Sequence, residues 1–231
     1  MYPKITIYMK NLALRNNLGL VLAIGSVWGL TEFAFGMGLQ KCATLYTGGI
    51  LTGIAFFWLS FLWSVTRKYL PILIIVGIAI LFKFLDALLL SVAWNHGSIL
   101  NPVFAFFTLL LGFVLFSTLF RKGFSSRLMS RIMVGAGAAI VATALFPLVK
   151  FASGTPACLY AATNIPLAIY TAPVTIVISM ITVPLGYKAA SWYTHVFLNN
   201  QTMYPASFMA RVWSPAVVIC CLLIITLIRI I

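Results

Sequence analysis

The stretch GLVLAIGSVWGLTEFAFGMG, residues 19–38, is apolar and long enough to cross a bilayer as a helix, which needs about 20 such residues. It contains Glu32, one of only two acidic residues in the chain. Gly25, Gly29 and Gly36 are seven, three and four residues from Glu32, so all four share one helix face. Gly25 and Gly29 form a GxxxG pair, which lets another helix approach closely. We therefore expect Glu32 to face other helices, either as a functional group or as a structural hydrogen-bonding group.

The composition of the whole chain extends this interpretation. Apolar residues make up 63% of the 231 residues and charged residues only 7%, whereas a soluble domain carries about a quarter charged residues. The net charge is +13, but the basic residues form short clusters between apolar runs rather than the continuous patch of a nucleic-acid-binding protein. The N-terminal residues lack the small-residue cleavage site of a signal peptide. The sequence thus predicts an integral membrane protein that retains its first span and does not bind nucleic acid.

The apolar runs predict an all-α, polytopic bundle of six core transmembrane spans with a possible seventh. We expect the spans at about 17–39, 46–65, 70–94, 101–120, 131–151, 166–187 and 213–231. Residues 1–190 would form the six-span bundle. Residues 191–231 would add a segment lying on the membrane surface and the seventh run, because the sequence from Tyr187 to Arg211 mixes aromatic with basic residues.

The distribution of Lys and Arg predicts a cytoplasmic N-terminus. In that orientation the inner segments hold 11 basic residues and the outer ends hold three, while Lys83 lies inside the third span. The inner residues are Lys4, Lys10, Arg15, Arg67, Lys68, Arg121, Lys122, Arg127, Arg131, Lys188 and Arg211, and the outer ones are Lys41, Lys150 and Arg229.

The few remaining polar and aromatic groups converge in the outer half of the bundle. They are Glu32, Asp86, Trp94, His96, Asn101, Lys150, Tyr160 and Asn164, with Lys83 just beneath them. Charges at the bilayer centre cost several kcal/mol unless they are paired or hydrated. A shared outward-facing cavity would remove that cost, and aromatic walls with a few polar contacts are typical of small-molecule sites. The predicted solute-binding residues are Glu32, Lys83, Asp86, Trp94, Asn101, Lys150 and Asn164.

Single residues of this set also have a structural interpretation. Lys83 and Asp86 are three residues apart on one helix face and could form a pair that neutralises itself. Trp94 suits an aromatic anchor at the membrane interface, and Lys150 suits a lysine whose ammonium group reaches the interface. The prediction of a site therefore depends on their convergence.

The start of the fourth span is predicted at the Asn101-Pro102 step. Asparagine suits the N-cap of a helix, and proline suits its first turn. His96, in the short loop before it, is expected to be a solvated loop residue.

Cysteine spacing and catalytic motifs give little further information. Cys42 and Cys158 fall in different outer loops, where a disulfide between them would be compatible with an oxidising compartment. The sequence contains no CxxC, HExxH or Walker motif, so we expect no metal site, no cofactor and no ATP hydrolysis by this chain. It also contains no evident nucleophile–base constellation, and an enzyme is not expected.

Three short segments carry a resemblance to a known family: WGLTE (Trp28–Glu32), KFLD (Lys83–Asp86) and the Asn101-Pro102 step. They resemble segments of S-component-like membrane proteins, where the S component is the substrate-binding subunit of energy-coupling factor transporters. The resemblance covers about residues 15–190. It implies a prokaryotic inner-membrane protein that captures a vitamin or related trace nutrient from outside. It also implies a transmembrane coupling subunit and cytoplasmic ATPases as partners.

The resemblance also implies roles for two parts of the first span and its loop. In this family the loop after the first span closes over the ligand, and here that loop is residues 39–49. The family docks its coupling subunit through small residues four apart on the first helix. Gly19 and Ala23 have this spacing at a suitable depth.

Three functions are compatible with the sequence. The first is a small-solute-binding subunit of an ATP-driven importer. The second is a structural or assembly subunit of a larger membrane complex, docked through the GxxxG pairs Gly25/Gly29 and Gly49/Gly53. The third is a proton- or ion-coupled transporter with Glu32 or Asp86 as the protonation site, which is less favoured because no inverted repeat is visible.

Overall fold

Helices account for almost all of the structure. The computed structural model describes residues 3–38, 46–91, 93–124, 126–154, 159, 164–198 and 213–230, with backbone only for 3–17 and for a few residues at element ends. Within these ranges no strand forms, and the sole β pairing is an isolated bridge between Leu159 and Pro166. The predicted all-α class is confirmed.

The helix bounds are as follows. The first four helices are α1 Pro3–Gly38, α2 Thr47–Thr66, α3 Tyr69–Leu90 and α4 Gly97–Leu119. The remaining helices are α5 Arg121–Phe124, α6 Leu128–Leu145, α7 Val149–Ser153, α8 Leu167–Tyr170, α9 Ala172–Tyr193 and α10 Ser214–Ile230. A 3₁₀ turn, Phe146–Leu148, joins α6 to α7, and a π-helical turn, Thr194–Leu198, follows α9.

Six helical segments in the described part are long and apolar enough to span a membrane. They are Leu18–Phe35, Thr47–Thr66, Tyr69–Leu89, Gly97–Leu119, Leu128–Phe151 and Ala172–Val196. These lengths fit a multi-pass membrane protein with the six predicted core spans. Helix α10 has 17 residues and packs against α1. It is shorter than the roughly 20 residues of a typical span, so its crossing of the membrane stays a prediction.

Two predicted boundaries differ from the structure. Helix α4 begins at Gly97 rather than Asn101, because the Nδ1 atom of His96 accepts a hydrogen bond from the Ser98 backbone N–H at 3.2 Å. The N-cap role predicted for Asn101 is therefore wrong: His96 is the cap, and Asn101 lies half-buried in the second turn.

The second difference lies after the sixth span. The segment from Tyr187 to Tyr193 belongs to α9, so this helix ends six residues later than the predicted sixth span, and the position of the segment on the membrane surface stays a prediction. Its aromatic rings explain the extension, since Tyr187 packs edge-on against Phe124 and Tyr193 against Phe61. Residues 199–212, the rest of the predicted surface segment, lie outside the described part.

Small residues allow the helices to pack closely. A Cβ at Gly25 would come within 2.8 Å of Ile78 and one at Gly29 within 2.8 Å of Phe82, so α1 and α3 run side by side in parallel. Helices α2 and α9 are also parallel, and the Ser60 hydroxyl donates to the Val183 carbonyl at 2.7 Å.

This packing gives the bundle two chemically different ends. The "basic end" is formed by the C-terminal ends of α2, α4 and α9 and the N-terminal ends of α3 and α6. Contacts between Tyr69 and Thr118 and between Arg131 and Tyr187 hold it together. Its described basic side chains are Arg67, Lys68, Arg121, Lys122, Arg127, Arg131 and Lys188. The "trio end", opposite, contains Glu32, Lys83 and Asp86.

Candidate functional site

Glu32 lies near the end of the membrane-length part of α1, three residues before Phe35. Its side chain is buried, with 8% exposure. Trp28, one turn earlier, donates its indole Nε1–H to Glu32 Oε1 at 3.2 Å. The Trp28 ring is fully buried and meets Phe106 of α4 edge-on at 5.4 Å between centroids. The Glu32 carboxyl group is therefore oriented by Trp28 of its own helix, and the Trp28 ring contacts α4.

Lys83 and Asp86 form a buried ion pair on α3. The Lys83 Nζ atom lies 3.0 Å from Asp86 Oδ2, and the two residues are 4% and 3% exposed. The other carboxyl oxygen, Asp86 Oδ1, is buried and has no hydrogen-bond partner in the part of the chain that the structure describes. A buried acceptor without a partner costs about 1–3 kcal/mol, so a donor from outside the chain would be favourable at this oxygen.

The close packing of α1 on α3 brings Glu32 to this pair. Glu32 follows Gly29 by three residues, and Lys83 follows Phe82, the residue against which Gly29 packs. Glu32, Lys83 and Asp86, hereafter the charged trio, thus share one environment between two helices.

The other predicted solute-binding residues lie at the same end of the bundle as the trio. Trp94 is exposed on the loop after α3, where its ring lies 5.5 Å from that of Phe84. Lys150, in α7, and Asn164, before α8, are also exposed. Within the described residues these three side chains make no hydrogen bond to the trio, and Asn101 is half-buried in α4. Their part in solute binding stays a prediction.

Several predictions fall on residues outside the described part. These are the predicted disulfide between Cys42 and Cys158, the position of Tyr160, and residues 39–45 of the loop expected to close over a ligand.

The small residues proposed for docking have identifiable surroundings. Gly25 and Gly29 contact Ile78 and Phe82 of the same chain. Gly19 is buried and Ala23 half-buried on α1. A partner's contact with these residues stays a prediction.

Two aromatic residues complete the site and were not among the predicted binding residues. Trp28 is the hydrogen-bond donor to Glu32, and Phe106 is the ring against which Trp28 packs. The four-residue spacing of Trp28 and Glu32 places them on adjacent helix turns, so the sequence contained a signal for the first contact. The contact with Phe106 depends on helix packing and has no local signal.

The described residues contain no group of three or more His, Cys, Asp or Glu that could hold a metal ion. Two grooves on their surface are not lined by the trio, one along α4 and one between α6 and α9. What the trio offers chemically is one carboxyl group oriented by an indole, one ion pair, and one carboxyl oxygen with acceptor capacity.

Comparison with known proteins adds no identification, since no family model, no curated protein and no solved structure matches the chain.

Proposed function

We propose that this protein is a membrane-embedded binding subunit for a small polar solute, which it captures at the trio end for an ATP-driven importer. The observation that carries the proposal is the burial of both acidic residues of the chain and of Lys83 on the closely packed helices α1 and α3, at one end of the bundle. Buried ionisable groups in a membrane span are expensive, and they commonly mark a substrate or ion pathway.

The chemistry of the trio narrows the class of solute. Asp86 Oδ1 has capacity to accept a hydrogen bond, which favours a solute that brings an ammonium, amidine or other N–H donor. Trp28 and Phe106 provide the apolar, aromatic surface beside these polar groups, as is usual in small-molecule sites.

The importer part of the proposal depends on the resemblance of WGLTE and KFLD to S components. Because the sequence has no nucleotide-binding motif, energy for transport would come from partner ATPases. The resemblance also makes a vitamin or related trace nutrient the solute class to test first.

A structural subunit of a larger membrane complex is the second candidate. The observation that favours it is that Glu32 is already bonded to Trp28 within α1 and Asp86 to Lys83 within α3, so both acidic side chains have a partner inside the chain. The two GxxxG pairs give little support to docking of a partner in this candidate. Gly29 packs against Phe82 and Gly53 against Ile178, both within the chain.

Native mass spectrometry of the gently purified protein tests the first candidate. We expect a retained small molecule in the wild-type protein and at least about a tenfold lower retention in Glu32→Gln and Asp86→Asn, since a hydrogen bond to a charged group is worth about 1.5–3 kcal/mol. Lys122→Gln, at the basic end, is the control and should retain the molecule fully.

Equal retention by the three variants would contradict the proposed site. Co-purification with a complex that lacks ATPases, without any retained small molecule, would favour the structural candidate.

A further inference from the structure

The basic end lacks counter-charges from its own chain. Seven basic side chains are described there, whereas the only two acidic residues of the sequence, Glu32 and Asp86, lie buried at the trio end. No carboxylate side chain of this protein can therefore pair with the basic cluster. An anionic molecule from the surroundings would complement this charge.

A groove between α6 and α9 joins part of this cluster to the membrane-facing surface. Its polar lining includes Arg131, Lys188 and Ser191, and its apolar lining includes Ile132, Ile181 and Leu185. Lys188 and Ser191 are three residues apart on α9, so they share a face. The apolar residues lie within the membrane-length segments Leu128–Phe151 and Ala172–Val196.

The guanidinium group of Arg131 is held in a fixed plane. Its Nε–H donates to the Phe124 carbonyl at 2.8 Å, and its central carbon lies 3.4 Å from the centroid of the Tyr187 ring. A side chain ordered in this way loses less entropy when it binds a ligand, and a planar guanidinium suits the recognition of phosphate oxygens.

The first turn of α6 strengthens the positive potential at the same place. This helix of 18 residues begins at Leu128, which also lines the groove. The unpaired backbone N–H groups and the positive dipole at a helix N-terminus favour an anion.

We propose that this groove binds one anionic phospholipid. The phosphate lies against Arg131, Lys188 and Ser191, and an acyl chain runs along Ile132, Ile181 and Leu185. An acidic protein surface would match the charge alone, whereas a phospholipid matches both the charge and the adjoining apolar surface inside the bilayer. Basic pockets between transmembrane helices commonly bind such headgroups.

Lipid retention by the full-length protein in detergent tests this proposal. Phosphatidylglycerol and phosphatidylcholine with identical acyl chains are titrated separately, and bound lipid is counted by native mass spectrometry. We expect preferential retention of phosphatidylglycerol. Lys188→Gln should weaken it about fivefold, the usual value of one cationic side chain near an anionic lipid surface, while Lys122→Gln, outside the groove, should leave it unchanged.

A second variant tests the contribution of the acyl-chain contact to lipid retention without changing any charge. Ile181→Trp fills the apolar half of the groove, retains every charge, and lies on an exposed surface where the larger ring does not disturb the core. We expect it to lower retention of phosphatidylglycerol as much as Lys188→Gln does. Equal retention of the two lipids by the wild type, or equal effects of Lys188→Gln and Lys122→Gln, would overturn the proposal and indicate an acidic protein as the source of counter-charge.

Discussion

The two ends of the bundle treat charge in opposite ways. At the trio end, Glu32, Lys83 and Asp86 are buried, with Lys83 paired to Asp86 and Glu32 bonded to Trp28 inside the chain. At the basic end, six of the seven described basic side chains are exposed, and the seventh, Arg131, is half-buried over Tyr187.

The difference follows from the surroundings of each end rather than from the type of residue. A charged side chain within the hydrocarbon region is expensive without a partner, so its removal or exposure should have a large effect on the fold. A charge at the interface is already solvated, and exposed ion pairs contribute only about 0–1 kcal/mol. We therefore expect charges at the trio end to determine stability and solute binding, and charges at the basic end to determine contacts with other molecules.

The largest expected effect is that of Asp86→Ala. This change leaves the Lys83 ammonium group buried without its partner, and breaking a buried pair in this way typically costs about 3–5 kcal/mol. Denaturant unfolding of the detergent-solubilised protein would measure the loss.

A double variant provides the control. Lys83→Met combined with Asp86→Leu removes both charges and retains apolar volume, so we expect it to recover most of the stability but not the binding of solute. If Asp86→Ala lowered the unfolding free energy by less than about 1 kcal/mol, charges at the trio end would not determine stability more strongly than charges at the basic end.

The fold could be predicted from the sequence to the extent that hydropathy determines it. Long apolar runs predicted six helices of membrane length because every backbone polar group in lipid must be paired within the segment. The boundaries were wrong where a particular contact decided them. His96 is not a usual N-cap residue, and the continuation of α9 through Tyr187 and Tyr193 depends on the rings of Phe124 and Phe61.

The candidate site could be predicted only in part. Two acidic residues in an apolar chain are conspicuous, and the spacing of Lys83 and Asp86 predicted their pairing. Position along a helix fixes the depth of a side chain in the membrane but not its direction around the bundle. Whether Trp94 and Lys150 line the same site as the trio therefore cannot be predicted from the sequence, because helix packing decides it.

A second prediction tests how the trio is assembled. Gly29→Ala places a methyl group against the Cβ and ring of Phe82, so α1 and α3 must move apart and Glu32 moves away from Lys83. Overpacking of this kind costs about 1–3 kcal/mol, which denaturant unfolding would measure.

Gly77→Ala is the matched control on α3, because a Cβ there meets no atom within 4 Å. We expect it to be neutral or slightly stabilising, as alanine is the better helix former. If Gly29→Ala were equally harmless, close contact between α1 and α3 would not be required for the trio end.

The smallest expected effect concerns the basic end and has the opposite sign. Arg67 ends α2 with a left-handed backbone, φ 53° and ψ 23°, and its N–H bonds to the Trp63 carbonyl at 2.9 Å. This conformation costs a residue with a side chain roughly 1–2 kcal/mol, which glycine avoids at the expense of about 0.5–1 kcal/mol of chain entropy. Arg67→Gly should therefore raise the unfolding free energy by about 0.5–1 kcal/mol even though it removes a positive charge.

Arg67→Ala removes the same charge but keeps the backbone strain, so its unfolding free energy should stay within about 0.5 kcal/mol of the wild-type value. Comparison of the two variants separates the effect of backbone strain on the unfolding free energy from the effect of the charge at one position. A loss of several kcal/mol in both would show that a charge at the basic end supports the fold as strongly as Asp86 does. The contrast between the ends would then come from something other than burial, because Arg67 is exposed and the trio is not.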